Sequence, residues 1–281
     1  MLNRIITGAI LGLIFFGLIF YLPLFYIGVI FTLLSLYGFY EWLRVSRKSN
    51  QSIIIYLLLM VLSMILLLVY HNHSMVFILS YLSIIIWTLI LFDIYFDSRF
   101  YKKILSLNSS VIGLYMIINA WFLLMSLGST SSASVLDDNK YLLFSMPDSN
   151  IHIYLLSLIL IVSLTDASGY FVGKFFGKQK LCEHISPKKT IMGLIGSLLI
   201  PLLLFSFIFI FILNKPLMIE DLLFMLLCCM YCTVGDLFMS IFKRFYNVKD
   251  TGKVLPGHGG VLDRLDSYLP TISIFQVWLF L

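Results

Sequence analysis

Charge is what this sequence has least of. Of 281 residues, 12% are Asp, Glu, Lys or Arg while 60% are hydrophobic, against about 25% charged in a soluble domain. That excludes a chain that mostly faces water and leaves little length for a separate soluble domain. Cysteine is scarce too. The four, Cys182, Cys228, Cys229 and Cys232, match no zinc or disulfide spacing. Three of them fall inside one apolar run, where free Cys behaves as a small hydrophobe. There is no low-complexity tract and no clear internal repeat, which argues against transporter folds built from repeats with broken helices at the bilayer midplane. The first apolar run follows Arg4 as a signal peptide would, but it lacks a small-residue cleavage site and a second run follows at once. It is expected to be a retained span.

What the sequence has in abundance is long apolar runs. A bilayer core of ~30 Å takes about 20 helical residues. Suitable runs lie near 5–22, 24–41, 52–70, 75–96, 104–127, 151–173, 190–213, 219–240 and 267–281. The expected fold is therefore all-α: a polytopic integral membrane protein of about nine transmembrane helices with a cytoplasmic N-terminus. The first two spans turn at Pro23, and the last is short and must tilt little or sit where the bilayer thins. Charge tests the topology. With the N-terminus inside, all of the 19 basic residues except Lys140 and Lys215 fall on the cytoplasmic side, as Lys/Arg bias requires. Adding or skipping one span scrambles that asymmetry. The chain divides into N-terminal packing spans, 1–127, an extracytoplasmic loop, 128–150, and a C-terminal chemical half, 151–281, with cytoplasmic loops 174–189 and 241–266.

A carboxylate near the bilayer is costly unless paired, metal-bound or facing water, so each is a functional candidate. Asp166 precedes the small, polar helix end ASGYFVGKFFG, and Asp236 follows the run LLFMLLCCMYCTVG. Asp263 and Asp266 are three apart and share a helix face. Topology brings all four to the cytoplasmic boundary. A single boundary Asp is as often a helix cap or a lysine partner, but four beside so many cations weaken that reading. Such an oxygen-rich site suits Mg²⁺, which takes one or two carboxylates plus substrate phosphates.

Two basic loops accompany them. ISPKKT (185–190) sets Lys188 and Lys189 before the seventh span, with Thr190 suited to a helix start and helix N-terminal amides suited to phosphate. The other loop carries Lys243 and Arg244, the latter apt for bidentate phosphate contacts. It also carries Pro256-Gly257-His258-Gly259-Gly260, whose glycines allow close backbone approach and positive φ, and whose His258 can orient or protonate a phosphate oxygen. Basic cytoplasmic loops also attract anionic headgroups without catalysis. That explains the lysines but not a Gly-rich, His-containing turn leading into two spaced aspartates.

These residues resemble the signature of the phosphatidate cytidylyltransferase (CDP-diacylglycerol synthase) family. The likeness runs Ser240-x-x-Lys243-Arg244, Lys249-Asp250-x-Gly252, Pro256-Gly257-His258-Gly259-Gly260 and Asp263-Arg264-x-Asp266. Gly235-Asp236-Leu237, Asp166-x-x-x-Tyr170-x-x-Gly173 with Gly177, and Ser186-Pro187-Lys188-Lys189-Thr190 agree as well, so the likeness covers roughly 160–270. Two positions depart from it. Ile191-Met192-Gly193 stands where the family usually has an aromatic or aliphatic residue, then Glu or Gln, then Gly, and Met239 stands where Glu commonly precedes the serine.

The resemblance implies a nucleotidyltransferase that converts phosphatidic acid and CTP to CDP-diacylglycerol and pyrophosphate. It implies a divalent metal, Mg²⁺, on Asp236 and Asp263, with Asp166 and Asp266 in or beside its shell and a monovalent cation such as K⁺ as a further component. Lys188, Lys189, Lys243, Arg244 and Arg264 would neutralise the triphosphate and lipid phosphate. Gly257, His258, Gly259 and Gly260 would shape the phosphate-facing turn, and Ser186, Thr190 and Ser240 would line the substrate site. Implied too is a homodimer; membrane lipids surround the chain and no nucleic-acid partner is expected, and the charge asymmetry fits a bacterial inner membrane with the site facing the cytoplasm. The alternatives are a CTP-dependent lipid kinase, a cytidylyltransferase for another lipid phosphate, or a non-enzymatic lipid transporter or binding protein.

Overall fold

A computed structural model of the chain describes residues 17, 19, 21–96, 100–129, 149–182, 186–212, 217–254 and 259–280. Nearly all of the first expected span and of the expected outer loop lie outside the described residues. In order come α1 (Leu24–Val45), α2 (Asn50–Val69), α3 (His73–Phe96), α4 (Phe100–Met125) and α5 (Ser149–Phe176). Two short strands follow, β1 (Lys180–Cys182) and β2 (Ser186–Thr190), then α6 (Ile191–Phe207), α7 (Ile219–Phe245), a helical turn at Leu262–Leu265, and α8 (Tyr268–Phe280). The described chain is thus helical apart from one two-stranded ribbon. Helices are what an apolar chain must form where no water can satisfy the backbone.

Among the described residues, six helical stretches are long and apolar enough to cross a membrane: Leu24–Val45, Asn50–Val69, His73–Phe96, Asn108–Met125, Ile151–Phe176 and Ile219–Phe245. The protein is a multi-pass membrane protein. Large side chains such as Ile54, Leu58, Leu62, Ile78, Ile85 and Leu89 are exposed at helical spacing on α2 and α3. Faces of this kind suit lipid.

The other apolar helices are shorter. α6 has 17 residues and passes into a π-helical turn, Ile208–Ile212. α8 has 13 residues, about 20 Å at 1.5 Å per residue, well short of a ~30 Å bilayer core. It lies against α3, α4 and α7, and Leu269, Ile272, Phe275 and the polar Thr271, Ser273 and Gln276 are all buried. Ser273 donates to Ser83 Oγ at 2.6 Å, and Gln276 Nε2 donates to the Ser126 carbonyl at 3.3 Å. The short last run is therefore a helix buried on all sides.

α5 and α6 pack closely, and small residues make the approach possible. A Cβ on Gly193 would lie 2.9 Å from the Gly169 carbonyl oxygen, and one on Gly196 would lie 2.5 Å from Val172. Backbones approach this closely in membranes only where small residues line the seam. The link between the two helices differs from the loop expected at 185–190. Ser186–Thr190 is a strand, paired antiparallel with β1 in the register Lys180↔Thr190 and Cys182↔Ser186. Thr190 does start the next helix, its side chain accepting from Gly193 N at 3.1 Å.

Candidate active site

The polar residues gather at one end of the bundle, and α7 is their spine. Its helix runs to Phe245, five residues beyond the expected end of the span. Lys243 and Arg244 therefore stand on its last turn rather than in a loop. At spacings of four, four and three, Cys232, Asp236, Ser240 and Lys243 share one face of α7. Gly235 lets the chain before α8 lie against this face. A Cβ there would collide with the Asp266 carbonyl oxygen and come within 2.9 Å of Pro270.

One acidic group sits where α5, α7 and the start of α8 meet. Asp166, Asp236 and Asp266 are near enough for each to act on its neighbours' charge, and Arg264 acts on Asp166. Lys189, from β2, pairs with Asp236 Oδ2 at 2.7 Å. The Cys232 thiol points at Asp166 Oδ1, 3.7 Å away. Asp266 is buried, and its Oδ1 accepts from Ser267 N at 2.8 Å. Burial first, and then the charges of Asp236 and Asp166, push its carboxyl well above the usual carboxylate range.

A second acidic group, built around Asp263, ties together Lys243, Thr251 and Gly260. Lys243 Nζ donates to Asp263 Oδ1 at 2.6 Å, with both side chains largely enclosed. Asp263 Oδ2 accepts from Thr251 N at 2.9 Å, Thr251 Oγ1 at 3.0 Å and Gly260 N at 3.0 Å. Burial alone would raise this carboxyl. The Lys243 ammonium and its hydrogen bond, with the Gly260 and Thr251 amides, outweigh that and hold it below the usual range. Gly259 adopts φ +83° beside it, the left-handed conformation glycine tolerates at no steric cost.

Sequence reasoning missed the residue on the far side of this group. Glu41, on α1, is 2% exposed; its Oε2 accepts from Leu262 N at 2.8 Å and from Thr251 Oγ1 at 3.1 Å. The signal was present, since Glu41 is an acidic residue at the end of an apolar run, the same criterion that singled out Asp166. Thr251 was missed as well, having no charge to mark it.

The remaining expected residues are less enclosed. Lys188, Arg244 and Arg264 are exposed, Ser186 and Ser240 half-buried. Thr190 is buried against Gly173 and Gly177 and joins the site through the helix it caps. Gly257 and His258 lie outside the described residues. Of the two departures from the family pattern, Met239 is fully buried in the apolar core and Met192 is 39% exposed on the first turn of α6.

Carboxylates, ammonium groups and backbone amides are the donor set that hard cations and phosphates require. Among the described residues, no three His, Cys, Asp or Glu side chains stand together in metal-ligating geometry. A magnesium ion does not need such a cage when substrate phosphates complete its shell, so the chemistry of Asp236 and Asp263 fits one.

Relatives share part of this chain's sequence. The protein is 42% identical over 130 residues to a protein of Staphylococcus haemolyticus, covering 45% of this chain and 48% of that one. It is 39% identical over 126 residues to one of Staphylococcus saprophyticus, covering 45% and 48%. A Bacillus subtilis protein is 44% identical over 117 residues, covering 41% and 43%. Each is named phosphatidate cytidylyltransferase, and the matched stretch spans about half the length of these relatives. The model of the cytidylyltransferase family matches residues 2–281, and the chain belongs to that family.

Proposed function

We propose that the protein transfers a cytidylyl group from CTP to phosphatidic acid, yielding CDP-diacylglycerol and pyrophosphate. The observation that carries this reading is the gathering of lysine-paired aspartates, Lys189–Asp236 and Lys243–Asp263, on one end of a membrane bundle in a chain of this family. A phosphate oxygen of phosphatidic acid attacks the α-phosphorus of CTP, the bond to the bridging oxygen of the β-phosphate breaks, and pyrophosphate leaves with that electron pair. The nucleophile is already an anion at neutral pH, so the site needs no general base and acts by positioning and charge neutralisation.

Lys189, Lys243 and Arg264 bind and orient the phosphates, with Lys188 and Arg244 at the rim. Asp236 and the Lys243-paired Oδ1 of Asp263 would hold Mg²⁺, which would supply Lewis-acid neutralisation of the triphosphate. Asp166 and Asp266 set the negative field beside it. This end of the bundle faces the cytoplasm in this reading, which the distribution of Lys and Arg supports.

The test is purified protein in lipid with CTP, phosphatidic acid and Mg²⁺, following both products. Pyrophosphate together with a cytidylylated lipid is expected. CDP release would instead make it a kinase, and no turnover with saturable lipid binding would make it a binding protein.

A further inference from the structure

Glu41 stands on a rigid support. Three residues earlier, Gly38 leaves room for the helical turn Leu262–Leu265: a Cβ there would lie 3.1 Å from Leu265 Cδ1. The next residue, Trp42, stacks on Phe242 of α7 with centroids 3.9 Å apart, and its indole N–H donates to the Ser109 carbonyl at 2.9 Å. The end of α1 is thus fixed against α4, α7 and the helical turn by contacts that do not involve Glu41 itself.

From that support, one carboxylate oxygen reaches both Thr251 and Leu262. Oε2 accepts from Thr251 Oγ1 and from Leu262 N. Gly252 and Gly260 flank the carboxylate so tightly that a Cβ on either would collide with it. The Thr251 hydroxyl lies within reach of both Glu41 Oε2 and Asp263 Oδ2, yet it carries only one proton to donate. The Leu262 amide is therefore the donor Glu41 holds without competition. Glu41 Oε1 has no hydrogen-bond partner among the described residues.

We infer that Glu41 is a positioning residue, an acceptor that ties Thr251 to Leu262 so that Asp263, Gly259 and Gly260 are held in place for substrate phosphates. The inference rests on the proposed reading of this end as the nucleotide site. The clamp works through acceptance by an oxygen, so a neutral carbonyl serves almost as well as a carboxylate.

The test uses the full chain in lipid nanodiscs. Hydrogen exchange is read in peptides covering 249–262, with α2 as the internal control, and kcat and KM for CTP are measured beside it. Glu41→Ala should speed loop exchange about tenfold or more, the scale of a hydrogen bond to a charged group, and lower kcat about as much, leaving α2 unchanged. Glu41→Gln should restore both to within about threefold of the parent. Should Glu41→Ala disturb α2 as well, Gly252→Ala replaces it. That variant keeps the carboxylate but displaces it, and should loosen the same peptides alone. Unchanged loop exchange in the readable variant overturns the clamp, as does a Gln variant as impaired as Ala. Exchange needs no turnover, so a failure of the proposed reaction appears separately, as absence of pyrophosphate release by the parent protein.

Discussion

Asp263→Asn replaces a carboxylate by a group of the same shape, and the structure indicates that it should still be severely damaging. Asp263 Oδ1 faces the Lys243 ammonium, and Oδ2 faces three donors, two of them backbone amides. Whichever way the new amide turns, its NH₂ meets donors. In one orientation it opposes the ammonium, and in the other it opposes Thr251 N and Gly260 N. Removing one partner of a largely buried pair costs about 3–5 kcal/mol because it leaves the other charge uncompensated. That is more than a hundredfold in a local opening equilibrium. Exchange at Thr251 and Gly260 should accelerate by about that factor, and the proposed cytidylyl transfer should fall at least as far, while membrane insertion stays normal.

Lys243→Met should produce part of the same loosening. The double variant should then be little worse than Asp263→Asn alone, since each single change already breaks the one pair. If Asp263→Asn left both amides as protected as in the parent and abolished only turnover, Asp263 would act solely through a ligand, and the anchoring account would be wrong. Additive losses in the double variant would equally refute the pairing.

Asp166→Asn should cost much more activity than Asp148→Asn, measured as initial rates of pyrophosphate release, because Asp166 belongs to the cluster with Asp236 and Asp266 whereas Asp148 belongs to the expected outer loop; equal effects would count against the clustering. Lys189→Ala should raise KM for CTP about tenfold or more but shift the melting temperature little, since its pair with Asp236 is partly open to solvent and such pairs contribute about 0–1 kcal/mol. Gly196→Val should lower thermal stability in detergent by about 1–3 kcal/mol, as even the first added carbon meets Val172; an unchanged melting curve would mean that α5 and α6 can separate freely. Met239→Glu, which installs the side chain common in the family, should reduce folded yield without raising activity, because that position is fully buried in the core and an unpaired carboxyl there has no compensation.

Hydropathy made most of the architecture legible, because lipid imposes one solution on any long apolar run. It located the described helices to within a few residues, and Thr190 as the start of α6 followed from its chemistry alone. Three features were not legible, each for its own reason. The extension of α7 to Phe245 replaces hydropathy by packing: Phe242 and Trp42 stack, so a helix continues past the point where its residues turn polar. The strand at Ser186–Thr190 exists through pairing with Lys180–Cys182, and three residues of strand carry no periodic signal. Glu41 makes its contacts more than 200 positions away, and nothing local to α1 announces the loop it holds.

The candidate site was legible as a list of side chains but not as a division of labour. Four aspartates at one depth suggested a single centre, whereas the structure resolves two kinds of carboxylate. Asp263 and Glu41 accept from amides, a hydroxyl and an ammonium, the pattern of groups that fix a loop. Asp166, Asp236 and Asp266 act on one another's charge, with Lys189 paired to Asp236 and Arg264 acting on Asp166, the pattern of a field awaiting positive charge. Lys243 belongs to both, since it pairs with Asp263 and also acts on Asp266. If substrate phosphate draws Lys243 away from Asp263, the loop loses its cation but keeps three donors on Oδ2 and the Glu41 clamp. A loop held by neutral donors as well as by one ion pair can stay ordered through that exchange of partners, and phosphoryl chemistry that depends on positioning requires that order.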